Sequence, residues 1–200
     1  MIDRDGPDVC LLGFFGRSAL LDISCERLTL DRIRTPLGQA LLITDTEYRL
    51  RALDWEDHEP RMQQLLRRHY GSSLSLAAGR APQATRQALD AYFAGDLAQL
   101  DGIECRTGGT AFQRAVWAAL RTIRPGRTMS YGALAAALGV PKAVRAVGLA
   151  NGANPISVVV PCHRVIGANG SLTGYGGGLE RKRWLLAHEG AAFTDGGAVS

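Results

Sequence analysis

One cysteine of this chain has a histidine as its immediate neighbour, in Pro161-Cys162-His163-Arg164-Val165-Ile166. A thiol attacks as thiolate, and an ordinary cysteine with a pKa of about 8.5 is only a few per cent ionised near neutrality. A neighbouring base raises that fraction, and a base oriented by a third group is the general arrangement. His163 can be the base. Candidates for the orienting acid are few, because residues 106–200 hold only Glu180, Glu189 and Asp195. Glu189 closes a helix expected from Gly178, with Gly190 as its cap. An acid at that end meets the unfavourable pole of the helix, so a basic partner is expected. A bare Cys-His pair describes equally well a buried structural thiol beside a core histidine, and the pair alone does not choose.

The stretch before the cysteine must place it. Ile156 and Val158–Val160 are apolar and β-branched, with Ser157 between them. This predicts a buried, extended segment that Pro161 ends by forbidding a continuing ladder. Upstream, Thr110-Ala111-Phe112-Gln113 has capping-box spacing. Phe112, Val116, Leu120 and Ile123 then share one face of a helix that Arg124-Pro125-Gly126 stops. Ser130 caps a second helix over 131–138, Gly139-Val140-Pro141 turns the chain, and a third helix runs over 142–152. Two short helices around a tight turn have the form of a helix-turn-helix, and equally of any helical hairpin. The third helix is rich in small residues: Ala143, Ala146, Gly148, Ala150, Gly152 and Ala153. Gly148 inside a helix costs about 1 kcal/mol relative to Ala, so a close approach by something else should offset it. Arg145 stands out as the long charged side chain amid these small residues.

The first half reads differently. Strands are expected over 28–34, 40–44 and 48–55, with a turn at Thr35-Pro36-Leu37-Gly38. A helix over 57–70, a fourth strand over 74–77 and a helix from Pro82 to Phe93 follow. The order is βββαβα, and the fold class is α+β. The predicted organisation is a disordered extension over 1–26, an α+β domain over 27–106, a mostly helical domain over 107–192 and a tail over 193–200.

Composition narrows the function classes. No apolar run is long enough to span a membrane, and Asp3, Asp5 and Asp8 stand where a secretory signal would carry basic residues. Cys10, Cys25, Cys105 and Cys162 form no C-x-x-C pair, which points to a reducing compartment. Residues 1–105 carry 12 Lys/Arg against 16 Asp/Glu, a net −4; residues 106–200 carry 11 against 3, a net +8. A basic second half fits either a polyanion, with nucleic acid the usual one, or a solvated face without a partner.

The motif Pro161–Ile166 resembles the active-site signature of the O6-alkylguanine-DNA alkyltransferases, the methylated-DNA–protein-cysteine methyltransferases. Thr35–Gly38, Tyr92–Gly95, Phe112-Gln113 with Trp117, Ser130-Tyr131-Gly132, Ala143–Asn154, Leu172–Gly178 and Trp184–Gly190 stand in the family's order. The resemblance covers about residues 27–190, and the bacterial constitutive type is the nearest. It implies a ribonuclease H-like N-terminal domain and a C-terminal domain with a winged helix-turn-helix-like motif. It also implies direct repair: an alkyl group passes irreversibly from O6-alkylguanine, and from O4-alkylthymine, in duplex DNA to Cys162, once per molecule.

By resemblance Cys162 is the acceptor. His163 acts through a water and is held by Glu189, Asn154 orients the active-site loop, and Lys182 lies near the cysteine. Tyr131 crowds the phosphate 3′ of the target and helps protonate the leaving guanine. Arg145 fills the space left by the flipped base, and Ala143, Gly148 and Asn151 join it on the DNA. Val165, Ser157, Tyr175, Gly176 and Gly177 line the pocket. Double-stranded DNA is the expected partner, bound through the minor groove with little sequence preference. A cytoplasmic monomer, associated with the nucleoid when on DNA, is expected, with no cofactor and no metal. Some relatives hold a structural zinc, and Cys25 lies near one such ligand position without a second matching cysteine.

A regulator that binds DNA through the helix-turn-helix without chemistry is the alternative, and Cys162 speaks against it. A cysteine hydrolase would bring its histidine from a distant segment. A regulator that is itself alkylated would need a metal-binding cysteine domain that residues 1–26 cannot hold.

Ser157 stands where some members have Pro, and Gly176 where some have Ser. Both changes remove bulk or rigidity, which predicts tolerance of alkyl groups larger than methyl. Ser157→Pro should therefore lower the ratio of transfer from O6-benzylguanine to transfer from O6-methylguanine. An unchanged ratio of the two rates refutes this.

Overall fold

The structure is a computed structural model that describes residues 27–71 and 75–194. Expectations for 1–26, for Cys25, for Leu74 and for the tail from 195 onward lie outside those residues. The N-terminal unit begins with a hairpin of β1 (Arg27–Thr35) and β2 (Gly38–Thr44), antiparallel from Thr35 opposite Gly38. Gly38 has φ +105°, a conformation that favours glycine, and Thr35 Oγ1 donates to its carbonyl at 2.7 Å. β3 (Leu50–Trp55) pairs with β2 and is buried along its whole length. α1 (Glu59–Tyr70) follows a short 3-10 turn, Glu56–His58, so the helix expected from 57 begins two residues later, with Pro60 in its first turn. β4 (Ser75–Ala78) then pairs parallel to β1, and α2 (Gln83–Phe93) closes the unit. The sheet order is β3-β2-β1-β4.

The C-terminal unit is mostly helical. α3 (Ala111–Arg121) carries the expected capping box: Gln113 N donates to Thr110 Oγ1 at 3.2 Å, and Thr110 N donates to Gln113 Oε1 at 2.9 Å. α4 (Tyr131–Ala137) is capped by Ser130, and α5 (Val144–Gly152) packs against it across a turn in which Gly139 has φ +74°. α5 starts two residues later than expected because Pro141 and Lys142 are spent in the turn. β5 (Met129–Ser130) and β6 (Val165–Ile166) form a small parallel pair, and α6 (Leu179–His188) ends the unit at Glu189 and Gly190.

The two units share one core. Leu42, Leu50, Leu53 and Trp55 pack with Val116, Trp117, Ile156, Val159 and Leu185. The reason lies in the edge of β3. An edge strand exposes a row of unpaired backbone groups. Here Leu50 N donates to Glu104 O at 2.9 Å, and Arg106 N donates to Leu50 O at 3.0 Å. Further along, Leu53 N donates to Pro155 O at 3.0 Å, and Ser157 N donates to Leu53 O at 2.8 Å. The linker and the segment leading to Cys162 thus complete the N-terminal sheet.

Tyr70, the last residue of α1, pins the linker. Its hydroxyl accepts from Gly108 N at 2.9 Å and from Arg51 Nε at 3.2 Å, and it donates to Arg106 O at 3.3 Å. Tyr70→Phe leaves these groups without that partner. It should cost about 1–3 kcal/mol, read as a lower urea midpoint of unfolding; an unchanged midpoint refutes the assignment.

Candidate active site

Cys162, His163 and Arg164 form one short 3-10 turn, tied to α5 by Asn151, whose Nδ2 donates to Cys162 O at 3.4 Å. The segment before them is buried as expected, but it is not extended. Only Ile156 bridges to the sheet, at Leu53; beyond it the chain coils tightly, with Val159 N on Ser157 O at 2.8 Å and Cys162 N on Val160 O at 2.8 Å. Val158 takes φ +69°, a strained conformation for a β-branched residue. The coil is stabilised from inside by Asn154, which is wholly buried. Its Oδ1 accepts from Ile156 N at 3.0 Å, and its Nδ2 faces Val160 O at 2.8 Å, Ile156 O at 3.2 Å and Cys162 Sγ at 3.1 Å. An extended strand could not converge these groups on one amide.

Cys162 is 5% exposed, and burial pushes its thiol up. The hydrogen bond from Asn154 and the positive charges of Arg61 and Lys182 work in the opposite direction. Lys182 is fully buried on α6 and donates to Val165 O at 2.6 Å and to Thr173 O at 3.1 Å. Burial pushes its pKa down to about 8, against the opposing pull of Cys162.

Glu189 is the expected partner of His163, at 2.9 Å from Nε2. It is also bound by two residues that sequence reasoning did not assign. Arg164 grips it with Nε on Oε2 at 2.8 Å and Nη2 on Oε1 at 2.8 Å, and Tyr92 of α2 donates to Oε1 at 2.7 Å. Arg164 also reaches Ile123 O. The signal for a basic partner was there, since an acid at a helix C-terminus needs one. Burial alone would raise the Glu189 pKa; the hydrogen bonds and charges of His163 and Arg164 outweigh it and hold the carboxyl far below its usual range. An ionised carboxylate only accepts, so Nε2 of His163 carries the proton. Burial lowers the His163 pKa, with Glu189 pulling the other way. The neutral ring therefore keeps a lone pair on Nδ1, which is buried and has no protein partner.

The pocket residues converge from both units. Ser157 and Val165 are buried, and Tyr175 packs edge-on to His163 at 6.5 Å between ring centres. A side chain on Gly177 would collide with Trp55 Nε1 of β3, so the glycine there permits a close approach. Gly176 does not open the pocket as its sequence position predicts. A Cβ there would lie 2.5 Å from the Arg61 guanidinium carbon, so that space is already filled. Asn151 also differs from expectation: it is buried, and its Nδ2 points to Cys162 O at 3.4 Å, away from the exposed face of α5. That face holds Val144, Arg145, Ala146, Leu149 and Gly152, with Leu149 74% exposed. Ala143 is half-buried at the start of α5. Gly148 faces the Tyr131 ring, and a Cβ there would meet it at an ordinary 3.7 Å, so packing within the protein does not demand the glycine. Tyr131 Oη accepts from Thr173 Oγ1 at 3.2 Å. Among the described residues no three acidic, His or Cys side chains form a metal cluster.

Residues 31–106 match the ribonuclease-like domain, and residues 111–191 the DNA-binding domain, of 6-O-methylguanine DNA methyltransferase. The methylated-DNA–protein-cysteine methyltransferase of Salmonella typhimurium is 56% identical over 165 residues, which cover 82% of this chain and 96% of the relative. The chain belongs to the methylated-DNA–protein-cysteine methyltransferase family. Among solved members, Mycobacterium tuberculosis OGT in complex with DNA superposes with a TM-score of 0.69 at 42% identity, over 82% of this chain and 92% of that one. The O6-methylguanine-DNA methyltransferase of Pyrococcus kodakaraensis gives 0.63 at 25% identity, over 82% and 99%. The family's two-domain α+β architecture is that of this chain, with the ribonuclease-like unit first and the helical DNA-binding unit second.

The Glu189 cluster sets a pH-dependent stability. The carboxyl is held below its unfolded pKa of about 4.3, so its contribution is complete above that value and is lost as pH falls through the folded value. Glu189→Gln leaves the buried Arg164 guanidinium without its charge partner and should cost about 3–5 kcal/mol at pH 7. The gap to wild type in urea unfolding should narrow as the pH is lowered below about 4; a gap independent of pH contradicts the assignment.

Proposed function

We propose that this chain repairs alkylated DNA by moving the alkyl group of O6-alkylguanine, and of O4-alkylthymine, onto Cys162. The observation that carries this reading is the relay behind the sulfur. Glu189 holds the Nε2 proton of His163 and thereby leaves a lone pair on a buried Nδ1, on the residue that follows the one buried cysteine among the described residues. One water between Nδ1 and Sγ completes the path by which the thiol loses its proton.

The reacting carbon lies inside the base stack of a duplex, so the nucleotide must be extruded, at a cost of a few kcal/mol. The thiolate then forms a bond to the alkyl carbon as the bond from that carbon to O6 breaks. The electron pair passes to the guanine, which takes a proton with help from Tyr131. The resulting thioether has no ready leaving group. Each molecule therefore acts once and needs no cofactor.

α4 and α5 serve as the helix-turn-helix. The exposed face of α5 lies along the minor groove, which is only about 6 Å wide. Gly148, with no packing demand inside the protein, fits that close approach, and Arg145 occupies the gap left by the flipped base. Contacts of this kind fall on the backbone and read little sequence. Asn151 is better placed with Cys162 than with the DNA. A single protomer contains the whole constellation, which supports action as a monomer. A reducing compartment such as the cytoplasm, in contact with the nucleoid, suits a free thiol. A regulator without chemistry would leave the Cys162 constellation with no task.

Incubation with duplex DNA carrying labelled O6-methylguanine, followed by peptide mass analysis, tests the reading. Label should appear on the peptide of Cys162 at no more than one per chain, and Cys162→Ser should accept none. Continued turnover, or binding without transfer, overturns it.

A further inference from the structure

Arg61 lies outside every motif that points to the site, yet it reaches the site from the other unit. Asp54, wholly buried at the end of β3, holds one terminal nitrogen of its guanidinium. The other terminal nitrogen donates to Gly152 O at 2.9 Å and to Asn154 O at 3.1 Å. The first carbonyl belongs to the last residue of α5. The second belongs to the residue whose amide binds Cys162 Sγ. Carbonyls at a helix C-terminus carry partial negative charge, and a guanidinium there makes strong, charge-assisted hydrogen bonds. The remaining face of the guanidinium is closed by Gly176. A Cβ at 176 would lie 2.5 Å from the central carbon and from Nη2, and 2.7 Å from Nε. These separations are shorter than Cβ atoms tolerate, and Arg61 is held by Asp54 on the far side, so a side chain at 176 displaces it from its carbonyls.

We propose that Arg61 is a positioning residue for the transfer reaction and that Gly176 is its seat. The guanidinium fixes Asn154 and the end of α5 relative to the nucleophile, and glycine at 176 leaves room for it. The proposal deepens the transfer reading and rests on it. It also replaces the idea that Gly176 enlarges the pocket: a side chain there acts through Arg61.

The test is the second-order rate constant of methyl transfer from an O6-methylguanine duplex for wild type, Arg61→Met, Arg61→Lys, Gly176→Ser and the double variant Arg61→Met/Gly176→Ser. Loss of the charge-assisted hydrogen bonds to the two carbonyls should slow Arg61→Met about tenfold, and Gly176→Ser by a similar factor. Arg61→Lys keeps the charge but not the fork, and should recover part of the rate. The double variant should be no slower than Arg61→Met, because the two changes remove one interaction. Affinity for undamaged duplex should stay within about twofold of wild type, since Arg61 acts behind the site. A wild-type rate in Arg61→Met, or a double variant whose loss is the product of the two single losses, overturns the proposal. Should Arg61→Met fail to fold, a wild-type rate in Gly176→Ser overturns it equally. A wild-type protein that transfers no methyl group sinks the functional reading itself, an outcome that no comparison of variants mimics.

Discussion

A carboxylate without water stays ionised only if it is fully bonded to donors and cations; otherwise it takes up a proton. Glu189 meets that condition with His163, Arg164 and Tyr92, drawn from the turn at the cysteine and from α2 of the other unit. Much of the site follows from this one buried charge. It fixes which nitrogen of His163 carries hydrogen, and it anchors the turn Cys162–Arg164 through Arg164. It also draws α2 and α6 together, where His188 accompanies it by bonding Tyr92 O at 2.7 Å and stacking on Trp184. The pairing is weak evidence for stability as such, since a matched apolar cluster serves as well. Its value is that the arrangement admits one geometry.

Two buried amides, one buried cation and one partly exposed cation then shape the electrostatics around the sulfur. Asn154 supplies the hydrogen bond that the thiol accepts, Asn151 turns toward the cysteine carbonyl, and Lys182 and Arg61 add positive charge without touching Sγ. Burial and these groups act in opposite directions on the thiol. The result suits a nucleophile that must be inert toward solvent and reactive toward one carbon atom brought against it.

The N-terminal unit is part of the site. β3 lends its edge to Pro155–Ser157, Trp55 packs against Gly177, and Arg181 of α6 bridges Asp57 and Leu37 O while lying over Trp55 at 4.8 Å. Without that edge the coil before Cys162 would lose two of its hydrogen bonds. Truncation of the chain to its helical unit therefore removes structure from the active site.

Local interactions were legible in the residues themselves. The capping box at Thr110–Gln113, the Ser130 cap, the hairpin turn at Gly38 and the end of α6 at Gly190 depend on neighbours within a few positions, and each was read to within two residues. That Glu189 needs a basic partner was also legible, because it is one of three acids in the basic half and closes a helix; its pairing with His163 was what the family resemblance implied. The coil of Val158–Val160 was not legible. Its β-branched residues favour extension, and the convergence of backbone groups on the buried Asn154 amide, together with the long-range bonds to the edge of β3, overrides that preference. Arg61 and Gly176 are 115 positions apart, and the inward turn of Asn151 is set by packing beneath α5; such contacts leave no period, spacing or local pattern in a chain. The amino-acid order thus settled which groups can react, while their reach, burial and partners were settled by the way two separately patterned units close over one edge.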